Sequence, residues 1–414
     1  MILRDKHIVL GVTGGIAAYK AVEVASRLVK AGAQVDVVMT PAATQFVGAL
    51  SFQAITGRPV SVEMFALLRE TDIAHVSLAH RADLLIVAPL TANTLAKLAH
   101  GLADNLLTAT ALDTRAPLLL APAMETGMWD NSLTQANLAR LRETRDVTVV
   151  GPAEGRLASG VVGVGRMAEP AEIVDAARWV LGRTGPLRGR RIVVTAGGTR
   201  EPLDPLRVLT NRSSGRMGVA LAFAARDAGA EVILIHTPGV PPGPWGAKAV
   251  VVETAQEMRD AVLNAIATAD ALVMAAAVAD YRPAQVAGQK IKKTTEPLIL
   301  PLERTPDILA EVAARRAEWP RLRVVIGFAA ETERLVENAR DKLQRKRLEL
   351  IVANDARAAM GADTNQVTLI AADGSVEELP LLPKEEVARR LIARLATLFS
   401  ADRNTIHNPG VVTA

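Results

Sequence analysis

The chain of 414 residues contains no cysteine. That absence excludes disulfides, zinc–thiolate centres and thiol nucleophiles together. Aromatic residues amount to only 3%, so the core must be built from Ala, Val, Leu and Ile, as is usual for buried parallel strands covered by helices. No apolar run reaches the roughly 18–20 residues that a membrane-spanning helix requires. Met1–Lys6 has mixed charge and leads straight into the apolar Ile8–Leu10, which predicts no signal peptide. Nor is there a large excess of one charge. A net charge of +4 is small for this length and gives no reason to expect nucleic acid as a partner. These absences lead us to expect a cytoplasmic protein with neither a membrane nor a nucleic-acid partner.

Half of the chain is hydrophobic and 22% is charged, a composition that describes globular domains and argues against disorder. The length is too great for one ordinary core and suggests two domains of roughly 200 residues each. Along the first half an apolar strand, a Gly- or Pro-containing turn and a helix recur. His7–Val12, Gln34–Met39, Leu84–Ala88, Pro117–Ala121 and Val147–Val150 read as buried strands, with Ala17–Ala31 and Thr91–Leu98 among the helices. The cycle restarts after the junction Arg188–Arg191, with strands at Ile192–Ala196, Glu231–His236, Ala271–Ala275, Val324–Phe328 and Leu350–Ala353. Such alternation predicts an α/β fold of two doubly wound parallel-sheet (Rossmann-like) domains. We place the first at 1–185, the second at 190–400, and a C-terminal tail at 401–414.

In the second half, strand Ile192–Ala196 runs into Gly197–Glu201, a turn whose backbone N–H groups can approach a phosphate. Taken alone the signal is weak, since it is not a full dinucleotide fingerprint. Asn211–Gly218 then gathers amide, hydroxyl and guanidinium donors ahead of a helix near Met217, or is simply a polar loop with a Ser cap. Asp280 lies just past the strand Ala271–Ala275, where such sheets bind ligands. It is placed to hold a ribose, a base edge or a metal. Lys290–Lys293 is by default a solvated surface, but on a loop it can close over a triphosphate.

Thr195–Gly218 (TAGGTREPLDPLRVLTNRSSGRMG), Ala275–Pro283 (AAAVADYRP), Lys290–Lys293 (KIKK), Thr305–Leu309 (TPDIL), Gly327–Thr332 (GFAAET) and Val352–Ala356 (VANDA) closely resemble phosphopantothenate–cysteine ligase over the whole second half. The resemblance implies attack of the 4′-phosphopantothenate carboxylate on the α-phosphate of CTP, with Mg²⁺, to give an acyl-cytidylate and pyrophosphate. The amine of cysteine then displaces the nucleotide. It assigns Asn211 to the acyl-nucleotide step, and Lys290 to the triphosphate and to catalysis. Ala276, Asp280, Thr305, Pro306, Asp307, Ile308, Phe328, Lys342 and Lys346 are expected to line the CTP site, with Asp280 also a candidate Mg²⁺ ligand. Thr305 replaces the family's usual Asn and still offers a hydroxyl. Physically, attack of one anion on another requires donors at the oxygens that gain charge. Lys290, Lys342, Lys346 and Arg216 can supply them, and the i, i+4 spacing of Lys342 and Lys346 puts both on one helical face.

The first half opens with Gly11–Lys20 (GVTGGIAAYK), where Gly14 and Gly15 permit close backbone approach at a helix N-terminus that favours an anion. Thr40 follows the second strand, and Ala88–Thr94 (APLTANT) forms a polar turn after another. A lone His75 beside apolar residues is by itself most often structural. Together with His75–Ala79 (HVSLA), Ala121–Trp129 (APAMETGMW) and Gly163–Met167 (GVGRM), however, these segments resemble the FMN-dependent phosphopantothenoylcysteine decarboxylases. The resemblance implies a flavoprotein-type domain that oxidises the substrate thiol to a thioaldehyde, releases CO₂ and re-reduces the enethiolate to give 4′-phosphopantetheine. It assigns FMN contacts to Gly14, Gly15, Ile16, Thr40, Thr91, Ala92, Asn93 and Met124, with His75 as the base.

Two positions depart from the family. Glu125 stands where Asn is usual, and an ionised Glu would repel the substrate carboxylate. Either it carries a proton there or the substrate contacts are arranged differently. Ser159 stands at the usual proton-donating Cys, and a hydroxyl is a far weaker acid than a thiol of pKa about 8.5. The reading is thus a bifunctional ligase and decarboxylase of coenzyme A biosynthesis. The alternative is an active ligase whose FMN-binding first domain is impaired in decarboxylation or serves as a structural oligomer core. Homo-oligomers are expected, decarboxylase trimers with FMN between subunits and ligase dimers.

Overall fold

The computed structural model describes residues 2–64, 74–293, 295, 297–331, 334–355 and 362–406. Thr332 and Ala356, which close two of the quoted motifs, and 407–414 of the expected tail lie outside the described residues. The chain divides into two compact units, Met1–Gly182 and Arg183–Ala414.

In the first unit, β1 (His7–Val12), β2 (Gln34–Met39), β3 (Val60–Ser61), β4 (Leu84–Leu90), β5 (Leu118–Pro122) and β6 (Val147–Val149) form one sheet. Its order is β3-β2-β1-β4-β5-β6, and every pair is parallel. β4 is buried along its whole length, and β1 and β2 at all but their first residue. That is why these strands read as continuous Val/Ile/Leu runs rather than as alternation. Helix Ala18–Lys30 turns Ala18, Ala21, Val24, Ala25 and Leu28 inward, the spacing of one helical face, and packs against helix Pro170–Gly182. It stops where Gly32 takes a φ of 90°, a conformation that a Cβ disfavours. An antiparallel hairpin, β7 (Ala153–Arg156) and β8 (Val162–Arg166), follows the sheet.

The second unit is built on β9 (Arg191–Ala196), β12 (Glu231–His236), β13 (Lys248–Val251), β14 (Ala271–Met274), β17 (Val324–Glu331) and β18 (Leu350–Asp355), with β20 (Val367–Ala371) and β21 (Val376–Glu378) at one edge. The order is β13-β12-β9-β14-β17-β18-β20-β21. Ile192, Val194, Leu234, Val273 and Ile326 are buried in one cluster. Val193, Ile235, Leu272 and Val325 are buried in another. Successive residues of a strand point to opposite faces, so both faces of this sheet are covered, as a doubly wound domain requires. The first six strands in that order pair in parallel, as the pattern predicts. β20 and β21 add antiparallel to the edge.

Three two-stranded ribbons were not legible in the pattern: β10 (Arg200–Asp204) with β11 (Arg207–Thr210), β15 (Tyr281–Pro283) with β16 (Leu302–Arg304), and β19 (Thr364–Asn365) with β22 (Leu382–Pro383). The final helix, Lys384–Ile406, continues past the expected start of the tail. No helix among the described residues is long and apolar enough to cross a membrane.

Candidate active sites

In an open parallel sheet, ligands bind outside the carboxyl ends of the strands at the point where strand order reverses. In the first unit that point lies between β1 and β4. The segments leaving β1, β2, β4 and β5 carry Gly14, Thr40, Thr91 and Met124 into the wall of one cavity of about 780 Å³, a size suited to a cofactor. Gly15, Ile16, Ala92, Asn93 and Glu125 line it too. A Cβ on Gly14 would stand 2.5 Å from the Cβ of Ala42, so the first turn closes onto the segment after β2 only because residue 14 is glycine. Helix Ala18–Lys30 begins directly behind this turn with no acidic residue in its first turn, which leaves the N-terminus free to favour an anion.

Hydroxyl groups hold the strand ends together. Thr13 Oγ1 donates to the Pro89 carbonyl (2.7 Å) and accepts from the Thr91 N–H (3.2 Å). Thr91 caps helix Ala92–His100 by accepting from the Thr94 N–H at 3.3 Å. Lys20, Lys97, Arg156 and Arg166 bring positive charge to the lining, and the sequence reading assigned none of them a role. Lys20 and Arg166 nevertheless lie inside two of the quoted motifs. Both contact Glu169, at 2.9 and 2.7 Å, and Lys20 first, then Arg166, holds that carboxyl below the ordinary glutamate range.

The two departures meet in space. Ser159 sits in the turn of the β7–β8 hairpin, and its Oγ donates to Glu125 Oε2 at 2.8 Å. The base of the hairpin is tied to the same wall, because the Met124 N–H donates to the Gly165 carbonyl at 3.0 Å. A side chain at Gly165 would collide with the Met124 carbonyl. Glu125 is only partly buried, and its carboxyl accepts from the hairpin serine. His75 lies on helix Ala74–Arg81, half-buried, and is not among the residues lining this cavity. The end of its helix is held by an ion pair of Arg81 with Asp36 at 3.0 Å.

In the second unit the order reverses between β9 and β14. After β9 the chain turns at Gly197 with a φ of 94°, and Gly198 then bridges in parallel to Ala277. The hydroxyls of Thr195 and Thr199 accept from the N–H groups of Ala276 (3.0 Å) and Ala279 (2.9 Å), which fixes the segment leading to Asp280. Asn211, at the end of β11, donates from Nδ2 to the carbonyls of Ala277 (3.2 Å) and Val278 (3.3 Å), so the structure brings Asn211 to the switch point. Helix Arg216–Asp227 starts after Gly215, whose φ is 69°, with no side-chain cap. The Ser-cap reading of this loop therefore gives way. Ser213 Oγ accepts from the Gly215 N–H at 3.4 Å, outside the helix.

Around Asp280, the Thr305 N–H donates to the Asp280 carbonyl (3.0 Å) and the Thr305 hydroxyl to that of Ala279. Pro306 follows, and Asp307 caps the helix beginning at Ile308 by accepting from the Ala310 N–H at 3.0 Å. Lys346 pairs with Asp307, and Lys342 Nζ donates to the Phe328 carbonyl at 2.8 Å. Burial pushes the Lys346 ammonium below the usual lysine value, while the charge of Asp280 pulls it back up. Lys290 is exposed, in the stretch 284–301, whose described residues form neither helix nor strand. Asp280 is a single exposed carboxylate. Among the described residues no group of three or more His, Asp or Glu is placed to hold a metal.

Comparisons with known proteins agree with this division. The family model "Flavoprotein" matches residues 2–181, and that of the DNA/pantothenate metabolism flavoprotein C-terminal domain matches residues 187–398. The coenzyme A biosynthesis bifunctional protein CoaBC of Bacillus subtilis (strain 168) is 43% identical over 402 residues, 96% of this chain and 98% of that protein. Its namesake from Mycobacterium bovis (strain ATCC BAA-935 / AF2122/97) is 45% identical over 410 residues, 95% of this chain and 97% of that protein. The crystal structure of a CoaBC C-terminal domain is 41% identical and covers 53% of this chain and all of its own (TM-score 0.45). The chain belongs to the family of coenzyme A biosynthesis bifunctional proteins CoaBC.

Proposed function

We propose that this chain joins 4′-phosphopantothenate to cysteine with CTP in a domain spanning 190–400. It then decarboxylates the product to 4′-phosphopantetheine with FMN in a domain spanning 1–185. One observation carries the reading. In the first unit Gly14, Thr40, Thr91 and Met124 line one cavity at the carboxyl edge of the parallel sheet, and in the second Asn211 bonds to the segment between the switch-point strand β14 and Asp280. This supports the reading for those residues, while His75 and Lys290 stand apart from both. Likeness to bifunctional relatives over 96% of the chain favours two working sites over a first domain that only binds flavin or builds an oligomer.

In the ligase site, Asn211 orients the acyl phosphate beside Ala276 and Ala277, while Lys290, Lys342 and Lys346 balance the charge that builds on the triphosphate oxygens. Asp280, Thr305–Ile308 and Phe328 hold the nucleotide. A lone carboxylate at Asp280 suits a Mg²⁺ ion that arrives already bound to phosphates, since Mg²⁺ is commonly held by one or two carboxylates plus substrate phosphates. In the decarboxylase site, the turn at Gly14 and Gly15 and the hydroxyl of Thr40 receive the FMN phosphate. Ile16, Thr91, Ala92, Asn93 and Met124 line the rest of the cofactor. When bound, FMN supplies the two-electron acceptor that makes loss of CO₂ accessible. Glu125 and Ser159 tie the β7–β8 hairpin over the substrate. His75 acts as the base, on the cavity of a neighbouring copy in the trimer, because it stands away from its own. The ligase units pair as dimers, and the protein works in the cytoplasm, where its substrates are.

The test of the ligase is direct. With 4′-phosphopantothenate, cysteine, Mg²⁺ and CTP the purified protein releases pyrophosphate and CMP. Absence of product with both CTP and ATP contradicts the assignment.

A further inference from the structure

The motif Thr195–Gly218 contains a carboxylate to which neither the family roles nor the sequence pattern gave work. Asp204 ends β10, and its side chain is fully buried. Its Oδ1 accepts from the N–H groups of Leu206 and Arg207, both at 2.9 Å. Its Oδ2 accepts from Arg207 Nε (2.9 Å) and Nη2 (2.6 Å), and from the Ile291 N–H at 3.1 Å. Arg207 Nη2 also donates to the Ile291 carbonyl at 2.6 Å. Both backbone groups of Ile291 are therefore held by one ion pair, and Ile291 is the residue next to Lys290. A second tie lies close by, from the Ala287 N–H to the Leu203 carbonyl at 3.0 Å. β11 runs from Arg207 to Thr210, immediately before Asn211.

We infer that Asp204, through Arg207, is a positioning residue for the ligase reaction: it fixes the Lys290 segment to the ribbon that carries Asn211 and so sets the reach of the Lys290 ammonium. The inference rests on the ligase reading above. Its physical basis is that a lysine is a point charge on a flexible stem, so the place of its charge depends on where its backbone is held. The described residues of the stretch 284–301 form no helix or strand to hold it. A segment left loose must be ordered each time nucleotide binds, at a cost in side-chain and loop freedom. The Arg207 guanidinium first, and then the backbone N–H groups, keep the Asp204 carboxyl far below the ordinary range against the opposing effect of burial. The support therefore works as an anion, and an amide of the same shape presents a donor where an acceptor is needed.

The experiment compares Asp204→Asn with the unaltered full-length protein in three measurements. Pyrophosphate release with CTP is expected to slow about tenfold or more, as when a catalytic group is displaced by a fraction of an ångström. Brief trypsin digestion of the unliganded protein is expected to cut faster after Lys290, Lys292 and Lys293 with other sites unchanged, a readout that needs no ligase activity. Decarboxylation of added substrate should keep its rate. Placed on Lys290→Ala, the Asp204 change should add little further loss, because the two act through one group. An unchanged digest, or losses that multiply in the double variant, overturns the inference. If Asp204→Asn does not fold, Arg207→Lys keeps the charge without the fork that spans carboxylate and carbonyl, and is expected to give the same digest. Failure of the unaltered protein to release pyrophosphate sinks the ligase reading, while the digest still decides whether Asp204 anchors the segment.

Discussion

Glu125 and Ser159 replace the residues that the decarboxylase family usually carries, and the structure joins them by a 2.8 Å hydrogen bond. A side-chain hydrogen bond is worth about 0.5–1.5 kcal/mol net, and less when water competes. We therefore expect Ser159→Ala and Glu125→Ala each to slow decarboxylation about fivefold, and the double variant to be no slower than the worse single one. Rates that multiply, measured as CO₂ release, show the two acting separately. Single variants faster than the parent mark the pair as a handicap. The sequence made both positions visible as departures, because each falls inside a recognisable motif. Their contact was not visible, since nothing in local spacing links positions 34 residues apart. Asp204 was hidden for the same reason, because its bond to Ile291 spans 87 residues.

At the scale of elements, the strands most legible in advance were those buried on both faces. β1, β2 and β12 occupy the residues that their apolar runs indicated. The ribbons escaped notice because strands this short are too brief to carry an apolar period; all four residues of β11 are exposed, and the buried positions of β10 include Glu201 and Asp204. Charged residues at strand ends also fix the second sheet. Asp270, 2% exposed, accepts from the Arg191 N–H at 2.8 Å, Arg190 Nη1 at 3.1 Å and Arg321 Nη2 at 3.3 Å. It thereby ties the start of β14 to β9 and to the segment before β17. Burial raises its pKa, but the Arg191 N–H and the guanidinium groups of Arg321 and Arg190 more than offset this, and the net shift is downward. A lowered folded-state pKa contributes stability that is present above the unfolded value of about 3.9 and is lost as pH falls through the folded one. Asp270→Ala should cost about 3 kcal/mol at neutral pH, read as a lower denaturant midpoint for the second unit. Asp270→Asn should narrow the gap to the parent as the solution is acidified below the ordinary aspartate range. A gap that widens in acid contradicts the assigned direction.

At the scale of the whole molecule, the proposed decarboxylase site takes residues from more than one copy of the chain. His75 does not line the cavity of its own unit, so His75→Ala and a cavity variant such as Gly14→Val should each lose decarboxylation alone. Refolded together, they should regain part of it, since the proposed trimer would pair an intact cavity with an intact histidine. No recovery in a mixture shown to exchange subunits contradicts a shared site. The central claim is that one chain carries two successive activities, and the coupled reaction tests it most directly. The purified protein, yellow with bound flavin, is given 4′-phosphopantothenate, cysteine, CTP and Mg²⁺, and the products are separated with time. Pyrophosphate and CMP are expected first, with a transient 4′-phosphopantothenoylcysteine, then CO₂ and 4′-phosphopantetheine. Accumulation of 4′-phosphopantothenoylcysteine or of an oxidised enethiol, with no 4′-phosphopantetheine, contradicts the claim.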